Sequence, residues 1–325
     1  MSNSFVNKTF QKDISFTPLA LNIFSYQYNN NKIYRQWCDI LKIQPSAINS
    51  IESIPFLPIS FFKTHNLICE NEEYEILFES SGTTQSAKSK HYVKHLDVYI
   101  QSFTKCFELF YGDIKDWCII ALLPSYLQQG NSSLIKMADV LIQQSKHAQS
   151  GFYLNDYKKL HDVLQQLENQ QQKTLLIGVT YALLDFAEQF PMKLISTSIM
   201  ETGGMKGRRK EITRHEVHDI LKNQFQIQQV HSEYGMTELL SQAYAKKDGK
   251  FYCPSWMKVF VRDEEDPLKI NTTGKGALNI IDLANVYSCA FIATDDVGEI
   301  FEDGSFNVLG RMDNSDMRGC SLMVV

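Results

Sequence analysis

The chain has 325 residues, of which 44% are hydrophobic and 21% are charged, a composition typical of a globular protein rather than a disordered or fibrous one. Its formal net charge of −5 excludes a strongly basic nucleic-acid-binding protein, and the run KGRRK at 206–210 is too short to change this. No apolar run is long enough to cross a bilayer, so we expect neither a nucleic-acid partner nor a membrane span.

The cysteines indicate the cellular compartment. Seven of them are scattered along the chain without any C-x-x-C pair. An odd and unpatterned set is typical of reduced thiols rather than of a disulfide framework or a zinc site. The first residues also lack the basic-then-apolar pattern of a secretion signal. We therefore expect a cytoplasmic protein. The seven are Cys38, Cys69, Cys106, Cys118, Cys253, Cys289 and Cys320.

In chain order, residues 1–70 predict a mainly helical N-terminal region. Strand-like and helix-like patterns then alternate over 71–240, which favours a largely parallel sheet covered by helices. The predicted strands lie at 74–79, 117–123, 174–179, 193–200 and 227–231. The predicted helices lie at 95–111, 132–146, 156–169, 180–190 and 213–223, and the last begins with a capping-box pair, Thr213 and Glu216.

The pattern changes after about residue 240. The segments WMKVFVRD, GALNIIDL, FIATDD and GEIFEDGSFNVLG indicate short strands joined by turns. We therefore predict an α/β protein with three parts: a helical region at 1–70, an α/β core at 71–240, and a β-rich subdomain with a C-terminal tail at 241–325.

The loop FESSGTTQSAKSK, at 78–90, follows directly on a predicted strand. Its small residues let backbone N–H groups approach an anion closely, its hydroxyl groups add donors, and Lys88 adds positive charge. A solvated loop rich in Ser and Thr explains these residues equally well when they are taken alone.

A second interpretation of this loop is a P-loop. GTTQSAKS at 82–89 matches that pattern with alanine in place of the second glycine, and LNIID at 278–282 would be its acidic strand. The match is weak, because that glycine position usually needs a backbone conformation that alanine resists. The segment HEVH at 215–218 superficially suggests metal ligands, but we expect it to lie on a solvated helix face.

Five motifs together favour one family. SSGTTQSAK (80–88), ETGGMKGR (201–208), SEYGMTE (232–238), TDDVGE (294–299) and GRMDN (310–314) resemble, in this order, the core motifs of the acyl-adenylate-forming superfamily. That superfamily includes acyl-CoA ligases, luciferases and carrier-loading adenylation domains. The resemblance covers about residues 75 to 320. It implies the large-domain fold of these enzymes, with stacked sheets, flanking helices and a β-rich C-terminal subdomain.

The resemblance also implies a role for each motif residue, with ATP and Mg²⁺ as cofactors. The loop Ser80, Ser81, Gly82, Thr83 and Thr84, together with Lys88, would bind the ATP phosphates, and Gly203 and Gly204 would lie against adenine. Tyr234, in a motif completed by Gly235 and Met236, would stack on adenine. Thr237 would contact phosphate, Glu238 would hold Mg²⁺, and Asp296 and Arg311 would bind the ribose hydroxyls. Of these residues, we expect Lys88 and Glu238 to be catalytic.

The end of the sequence departs from the family pattern. Most adenylate-forming enzymes continue with a mobile lid domain that carries a catalytic lysine, whereas only SDMRGCSLMVV follows Asn314 here. The LuxE-type acyl-protein synthetases also end early and carry a reactive cysteine close to the C-terminus. Cys320 in RGCSL resembles that arrangement, and Arg318 would favour its thiolate.

The resemblance therefore implies ATP-dependent activation of a carboxylic acid, preferably a fatty acid, followed by acyl transfer to Cys320. The acyl group would then pass to a reductase, a transferase or a carrier protein. Two alternatives stay open: a ligase that passes its acyl group directly to CoA or a carrier protein, and an inactive adenylate-fold binding protein. We expect walls of the acid pocket at 117–135, which includes Tyr126, and at 195–205.

Overall fold

The fold is known from a computed structural model. The structure describes residues 3–11, 13–70, 73–80, 87–124, 130–154, 156–203, 209 and 212–312. Its helices are α1 (Asn3–Thr9), α2 (Phe16–Asn30), α3 (Lys32–Ile40), α4 (Phe61–Thr64), α5 (Leu96–Tyr111), α6 (Ser133–Ser145), α7 (Tyr157–Asn169), α8 (Thr180–Gln189) and α9 (Arg214–Phe225). Its first strands are β1 (Leu57–Pro58), β2 (Ile76–Glu79), β3 (Lys90–Val93), β4 (Cys118–Leu122), β5 (Gly151–Phe152), β6 (Thr174–Val179) and β7 (Thr197–Thr202). The remaining strands are β8 (His231–Tyr234), β9 (Ala243–Ala245), β10 (Met257–Arg262), β11 (Ile270–Asn271), β12 (Gly274–Asp282), β13 (Phe291–Ile300) and β14 (Phe306–Arg311).

One sheet has the strand order β5-β4-β6-β7-β8-β9. Its first five strands are parallel and β9 is antiparallel, so the expected parallel sheet covered by helices is confirmed. β4 and β6 are buried over their whole length, which explains their unbroken apolar sequences CIIAL and TLLIGV. The carboxyl ends of β7 and β8 lie side by side, so the two motifs that follow these strands meet in space.

The predicted strand at 193–200 begins later in the structure, at Thr197. The Glu168 carboxylate at the end of α7 accepts hydrogen bonds from the backbone N–H groups of Ile195 and Ser196. Those backbone groups are therefore not available to a sheet ladder. β8 is also later than predicted, and it runs into the motif as far as Tyr234.

The second sheet has the order β1-β13-β12-β10-β11, with β14 also paired to β13. All of its pairings are antiparallel except the short pairing of β1 with β13. The strand segments expected after residue 240 are thus present, although FIATDD and the following VGEI form one continuous strand, β13.

β2 and β3 form an antiparallel hairpin whose connection is the loop rich in Ser and Thr. The P-loop interpretation is wrong, because a strand and not a helix follows this loop. Asp282 of LNIID is buried, and it accepts hydrogen bonds from the Ser241 hydroxyl and from the backbone N–H groups of Leu240, Ser241 and Ala284. That carboxylate holds a turn together rather than a metal ion.

The N-terminal helices are joined to the second sheet by buried polar contacts. The Gln27 amide nitrogen donates to the carbonyl oxygens of Asn285 and Val286, and its oxygen accepts from the N–H of Ala290. Asn31 donates to the carbonyl oxygen of Ser288 at 2.9 Å. Within the described ranges, no helix combines the length and the apolar character that crossing a membrane requires.

Candidate functional site

A cleft of about 1420 Å³ opens where the ends of β7 and β8 face the hairpin loop and the strands β13 and β14. Ten of the residues predicted from sequence line it: Ser80, Lys88, Gly203, Tyr234, Gly235, Met236, Thr237, Glu238, Asp296 and Arg311. The other predicted positions, Ser81, Gly82, Thr83, Thr84, Gly204, Cys320 and the pocket residue Tyr126, lie outside the described residues.

The base of the phosphate-loop motif is closed by two residues. The N–H of Ser89 donates to the Ser80 hydroxyl oxygen at 2.9 Å, and the N–H of Ser80 donates to the Ser89 carbonyl oxygen at 3.1 Å. These contacts extend the β2–β3 ladder by one pair. They fix both ends of the loop at the edge of the cleft, and they leave Lys88 exposed on its rim.

One wall of the cleft is built around Asp296 of β13. Its carboxylate is buried, and it accepts a hydrogen bond from the Tyr234 hydroxyl at 2.7 Å and another from Arg311 Nε at 2.9 Å. Burial and the adjacent Asp296 charge raise the pKa of the Tyr234 hydroxyl, so this group is a hydrogen-bond donor at neutral pH. The Tyr234 ring packs against Phe251 and Phe306, which sets the orientation of the ring in the wall.

Glu238 is the buried carboxylate of the SEYGMTE motif. Burial raises its pKa, and a hydrogen bond with Ser89 and the charges of Arg311 and Lys63 partly oppose that rise. Lys63, on α4, is exposed and lines the cleft together with Lys88. The cleft thus pairs one partly desolvated carboxylate with nearby cations.

The backbone of Thr237 and Glu238 is supported from behind by a buried pair, His91 and Asn285. His91 Nδ1 lies 2.7 Å from the Thr237 carbonyl oxygen, and its Nε2 lies 3.0 Å from Asn285 Oδ1. Asn285 Nδ2 in turn donates to the Glu238 carbonyl oxygen at 2.8 Å. Because His91 lies on β3, this pair joins the returning strand of the loop hairpin to the motif that carries Glu238.

Steric constraints explain why glycine occupies two positions in the cleft wall, 203 and 235. Gly203 has a φ of +68°, a conformation that side chains disfavour, and its carbonyl oxygen accepts from the Thr180 hydroxyl at 3.2 Å. At Gly235, a Cβ atom would lie only 2.4 Å from Glu233 Oε1. The glycine therefore leaves room for the Glu233 carboxylate beside the motif.

Glu201, at the end of β7, is almost fully buried and has basic neighbours. Arg214 Nε donates to Glu201 Oε1 at 3.1 Å, and His218 Nε2 lies 3.7 Å from the same oxygen. Burial raises the pKa of the Glu201 carboxyl, but His218 and Arg214 oppose this and lower it overall. The expectation of a solvated HEVH segment is therefore correct for His215, which is exposed, and wrong for His218, which is buried.

Glu233, between Ser232 and Tyr234, is a second buried carboxylate in the cleft. Its Oε2 accepts a hydrogen bond from the Thr202 hydroxyl at 2.5 Å. Burial, and to a smaller extent the charge of Glu201, raise the pKa of Glu233 to about 7. Sequence analysis did not single out Glu233, although it lies inside the SEYGMTE motif.

The oxygen ligands that the cleft offers suit a magnesium ion that would be held mostly by a bound phosphate chain. Mg²⁺ usually takes one or two protein carboxylates plus phosphate and water oxygens, and Glu238 supplies one such carboxylate beside Thr237. Among the described residues, no three His, Cys, Asp or Glu side chains cluster as a protein-only metal cage would require.

Comparison with solved structures confirms the fold. ATP-bound MatB from Rhodopseudomonas palustris aligns with a TM-score of 0.53 and 18% identity over 72% of this chain and 47% of that chain. The O-succinylbenzoate Coenzyme A Synthetase MenE of Bacillus subtilis, in complex with ATP and magnesium ion, aligns with a TM-score of 0.50 and 16% identity, covering 74% of this chain and 51% of that chain. The chain therefore has the large-domain fold of adenylate-forming enzymes and spans about half the length of these structures.

Comparison with sequences is more specific. A protein of Aliivibrio fischeri, "Long-chain-fatty-acid--luciferin-component ligase", is 24% identical over 339 residues, which cover 96% of this chain and 88% of that protein. The family model described as "Acyl-protein synthetase, LuxE" matches residues 3–325. With its motif residues gathered in one cleft of an adenylate-forming fold, the chain belongs to the LuxE family of acyl-protein synthetases.

Proposed function

We propose that this protein activates a fatty acid with ATP to form an acyl-adenylate, and then transfers the acyl group to the thiol of Cys320. The observation that carries the first step is the convergence of Lys88, Glu238, Tyr234, Asp296 and Arg311 on one cleft. Family membership and the name of the Aliivibrio fischeri relative support a fatty acid as the substrate.

In the first step, a carboxylate oxygen of the acid attacks the α-phosphorus of ATP. A new oxygen–phosphorus bond forms, the bond from the α-phosphorus to the bridging oxygen breaks, and pyrophosphate leaves. Two anions must approach each other, so positive charge and hydrogen-bond donors lower the barrier most effectively. Lys63 and Lys88, which are exposed on the cleft wall, supply that positive charge to the phosphates.

The remaining motif residues hold the nucleotide. The Asp296 carboxylate, oriented by Tyr234 and Arg311, accepts hydrogen bonds from ribose hydroxyls, and Gly203 allows the adenine to lie close to the backbone. Glu238 holds Mg²⁺, which when bound neutralises charge on the triphosphate oxygens. His91 and Asn285 keep the backbone of Thr237 and Glu238 in position for these contacts.

In the second step, the Cys320 thiolate attacks the acyl carbonyl carbon. A carbon–sulfur bond forms, AMP leaves with the electrons of the broken carbon–oxygen bond, and the thiol proton goes to solvent. The six cysteines among the described residues are unsuited to this role, because burial raises the pKa of each thiol. The acyl group then passes to a reductase, a transferase or a carrier protein.

Two measurements test the proposal on the wild-type protein. The first is ATP–pyrophosphate exchange over a panel of fatty and aromatic acids, which should depend on the acid. The second is covalent labelling by radioactive fatty acid plus ATP, which should be removed by neutral hydroxylamine. Exchange without labelling would favour a ligase that passes the acyl group directly to CoA or a carrier protein. Absence of exchange with every acid would favour an inactive binding protein.

A further inference from the structure

Glu233 and Glu201 point to opposite faces of the parallel sheet. Glu201 contacts Arg214 and His218 of α9, as described above. Glu233 lies on the other face, because it is paired with Thr202 in the sheet register while Glu201 is the residue before Thr202. That face is covered by α5, since His231, two residues before Glu233 on β8, lies 3.2 Å from the Tyr111 hydroxyl oxygen. Under the proposed function, the nucleotide occupies the region of Gly203, Tyr234 and Asp296. The arm of the cleft on the α5 side is therefore left for the acid.

We call this part of the cleft the acid arm; its lining residues are Tyr99, Ser133, Met137, Glu233 and Gln242, of which all but Met137 carry polar groups. Glu233 is only 9% exposed, and none of the ion pairs among the described residues involves it. Thr202 satisfies Oε2, while Oε1 lies against Gly235. Gln242 is 4% exposed, and its Oε1 has no hydrogen-bond partner within the described part of the chain.

Gln242 Oε1 is thus a buried acceptor without a donor among the described residues, and the Glu233 carboxyl lies close to it, since a Cβ atom at Gly235 would be 3.5 Å from both Gln242 Cγ and Glu233 Cδ. A buried polar atom without a partner destabilises a fold, so such an atom usually has a ligand or a water to bind. An unsubstituted alkyl chain would displace water from this arm and offer no donor in return. A chain with a hydroxyl or amino group would supply the missing hydrogen bond.

We propose that the acid activated here carries a hydrogen-bond-donating substituent, a hydroxyl or an amino group, which binds Glu233 and Gln242 in the acid arm. This inference rests on the proposed adenylation, and it narrows the substrate from fatty acids in general to hydroxy or amino fatty acids. Sites built to bind a substrate hydroxyl or amine discriminate strongly against the analogue that lacks it, by as much as about 10⁴-fold.

The test is acid-dependent ATP–pyrophosphate exchange with matched acids of one chain length: the unsubstituted acid and its α-hydroxy, β-hydroxy, terminal-hydroxy and β-amino derivatives. We expect at least one substituted acid to have a kcat/KM roughly 10²-fold or more above that of the unsubstituted acid. Comparing the hydroxy-substituted acids with the amino-substituted acid shows which of the two donor groups the site prefers. Glu233→Leu should remove the preference by lowering activity on the substituted acid while activity on the unsubstituted acid persists. The exposed control Glu302→Leu should keep it.

Equal or better activity of wild-type protein on the unsubstituted acid overturns this inference and leaves the proposed adenylation standing. A preference that survives in Glu233→Leu overturns the assignment to Glu233. If no acid supports exchange, the proposed function fails and the inference fails with it. Should Glu233→Leu not fold, Glu233→Gln replaces it. Because that variant loses the negative charge, it should weaken the preference for an amino-substituted fatty acid roughly tenfold or more. An unchanged preference for that acid again overturns the assignment to Glu233.

Discussion

Asp296 and Arg311 are paired twice, as directly opposed residues of β13 and β14 and through a 2.9 Å contact between their side chains. The carboxylate is buried and the arginine side chain is 72% exposed, so the acidic partner is fixed while the basic one can move towards a ligand. Sheet register, rather than a flexible loop, therefore positions the predicted ribose contacts.

Asp296→Asn tests this wall. Tyr234 donates to one carboxylate oxygen and Arg311 to the other, so replacing one oxygen by an NH₂ group leaves one of these donors facing another donor. We expect the KM for ATP in the exchange assay to rise roughly tenfold or more, since hydrogen bonds to charged groups contribute about 1.5–3 kcal/mol. The control is Glu302→Gln, an exposed change close to the same sheet. An unchanged KM for ATP would remove Asp296 from the nucleotide site.

Glu238→Gln should reduce adenylate formation on the order of 10²-fold or more, because the amide is a poor ligand for Mg²⁺. Glu238→Asp should retain part of the activity but need more Mg²⁺ for half-maximal exchange. Thermal unfolding should show that both variants fold. The exposed α5 residue offers a control, Glu108→Gln, which should behave as wild type. Near-normal exchange and an unchanged Mg²⁺ requirement in Glu238→Gln would contradict the assignment.

Lys88 and Lys90 form a matched pair, since both are exposed and two residues apart. Lys88 lines the cleft, whereas Lys90 is the first residue of β3 and lies outside it. Lys88→Ala should raise the KM for ATP roughly tenfold or more through loss of a phosphate contact, while Lys90→Ala should have little effect. Small and equal effects in the two variants would show that the loop does not bind phosphate.

Glu233→Gln should make the stability of the protein less dependent on pH. The folded carboxyl has a pKa of about 7 against an ordinary value of 4.5, so between these values the folded protein keeps a proton that the unfolded chain has lost. The contribution of Glu233 to the wild-type free energy of unfolding therefore falls as the pH rises from 4.5 through 7. At pH 8 we expect the variant to gain about 3 kcal/mol relative to wild type, compared with their difference at pH 4. Urea unfolding at the two pH values measures this, and parallel pH profiles would contradict the burial argument.

Cys320→Ser should separate the two half-reactions. Exchange should survive because adenylation does not use the sulfur, and hydroxylamine-sensitive labelling should disappear because serine is a much weaker nucleophile at neutral pH. Cys253→Ser is the control, since Cys253 is the described cysteine that is not fully buried, and burial still raises its pKa to about 12. Label that persists in Cys320→Ser and stays hydroxylamine-sensitive would place the acyl group on another thiol.

The sequence predicts those parts of this site that are contiguous motifs. Tyr234, Glu238, Asp296 and Arg311 were found because each lies in a short signature, and the structure brings all four to one cleft. The alternation of strands and helices likewise predicted the parallel sheet, because β4 and β6 are buried on both faces and have unbroken apolar sequences.

Residues that act across long distances in sequence were missed. His91 meets Thr237 across 146 positions and Asn285 across 194, and no local pattern indicates either contact. Lys63 was missed because it lies in a helix of four residues with no motif around it. The start of β7 was placed too early because Glu168, a side chain from the preceding helix, takes the backbone N–H groups that a strand would use.

The Gln27 contacts have a consequence for how the protein is made. The side chain of this early residue binds backbone groups up to position 290, a separation of 263 residues. At ribosomal rates of about 5–20 residues per second, the first helices must wait roughly 13 to 50 s for the strands that cover them. During that interval the apolar face of α2, with Phe16, Leu19, Ile23 and Phe24, stays open to other nascent chains and to chaperones. Slowing translation in the second half of the message should therefore lower the soluble yield of this protein, and coexpressed chaperones should restore it.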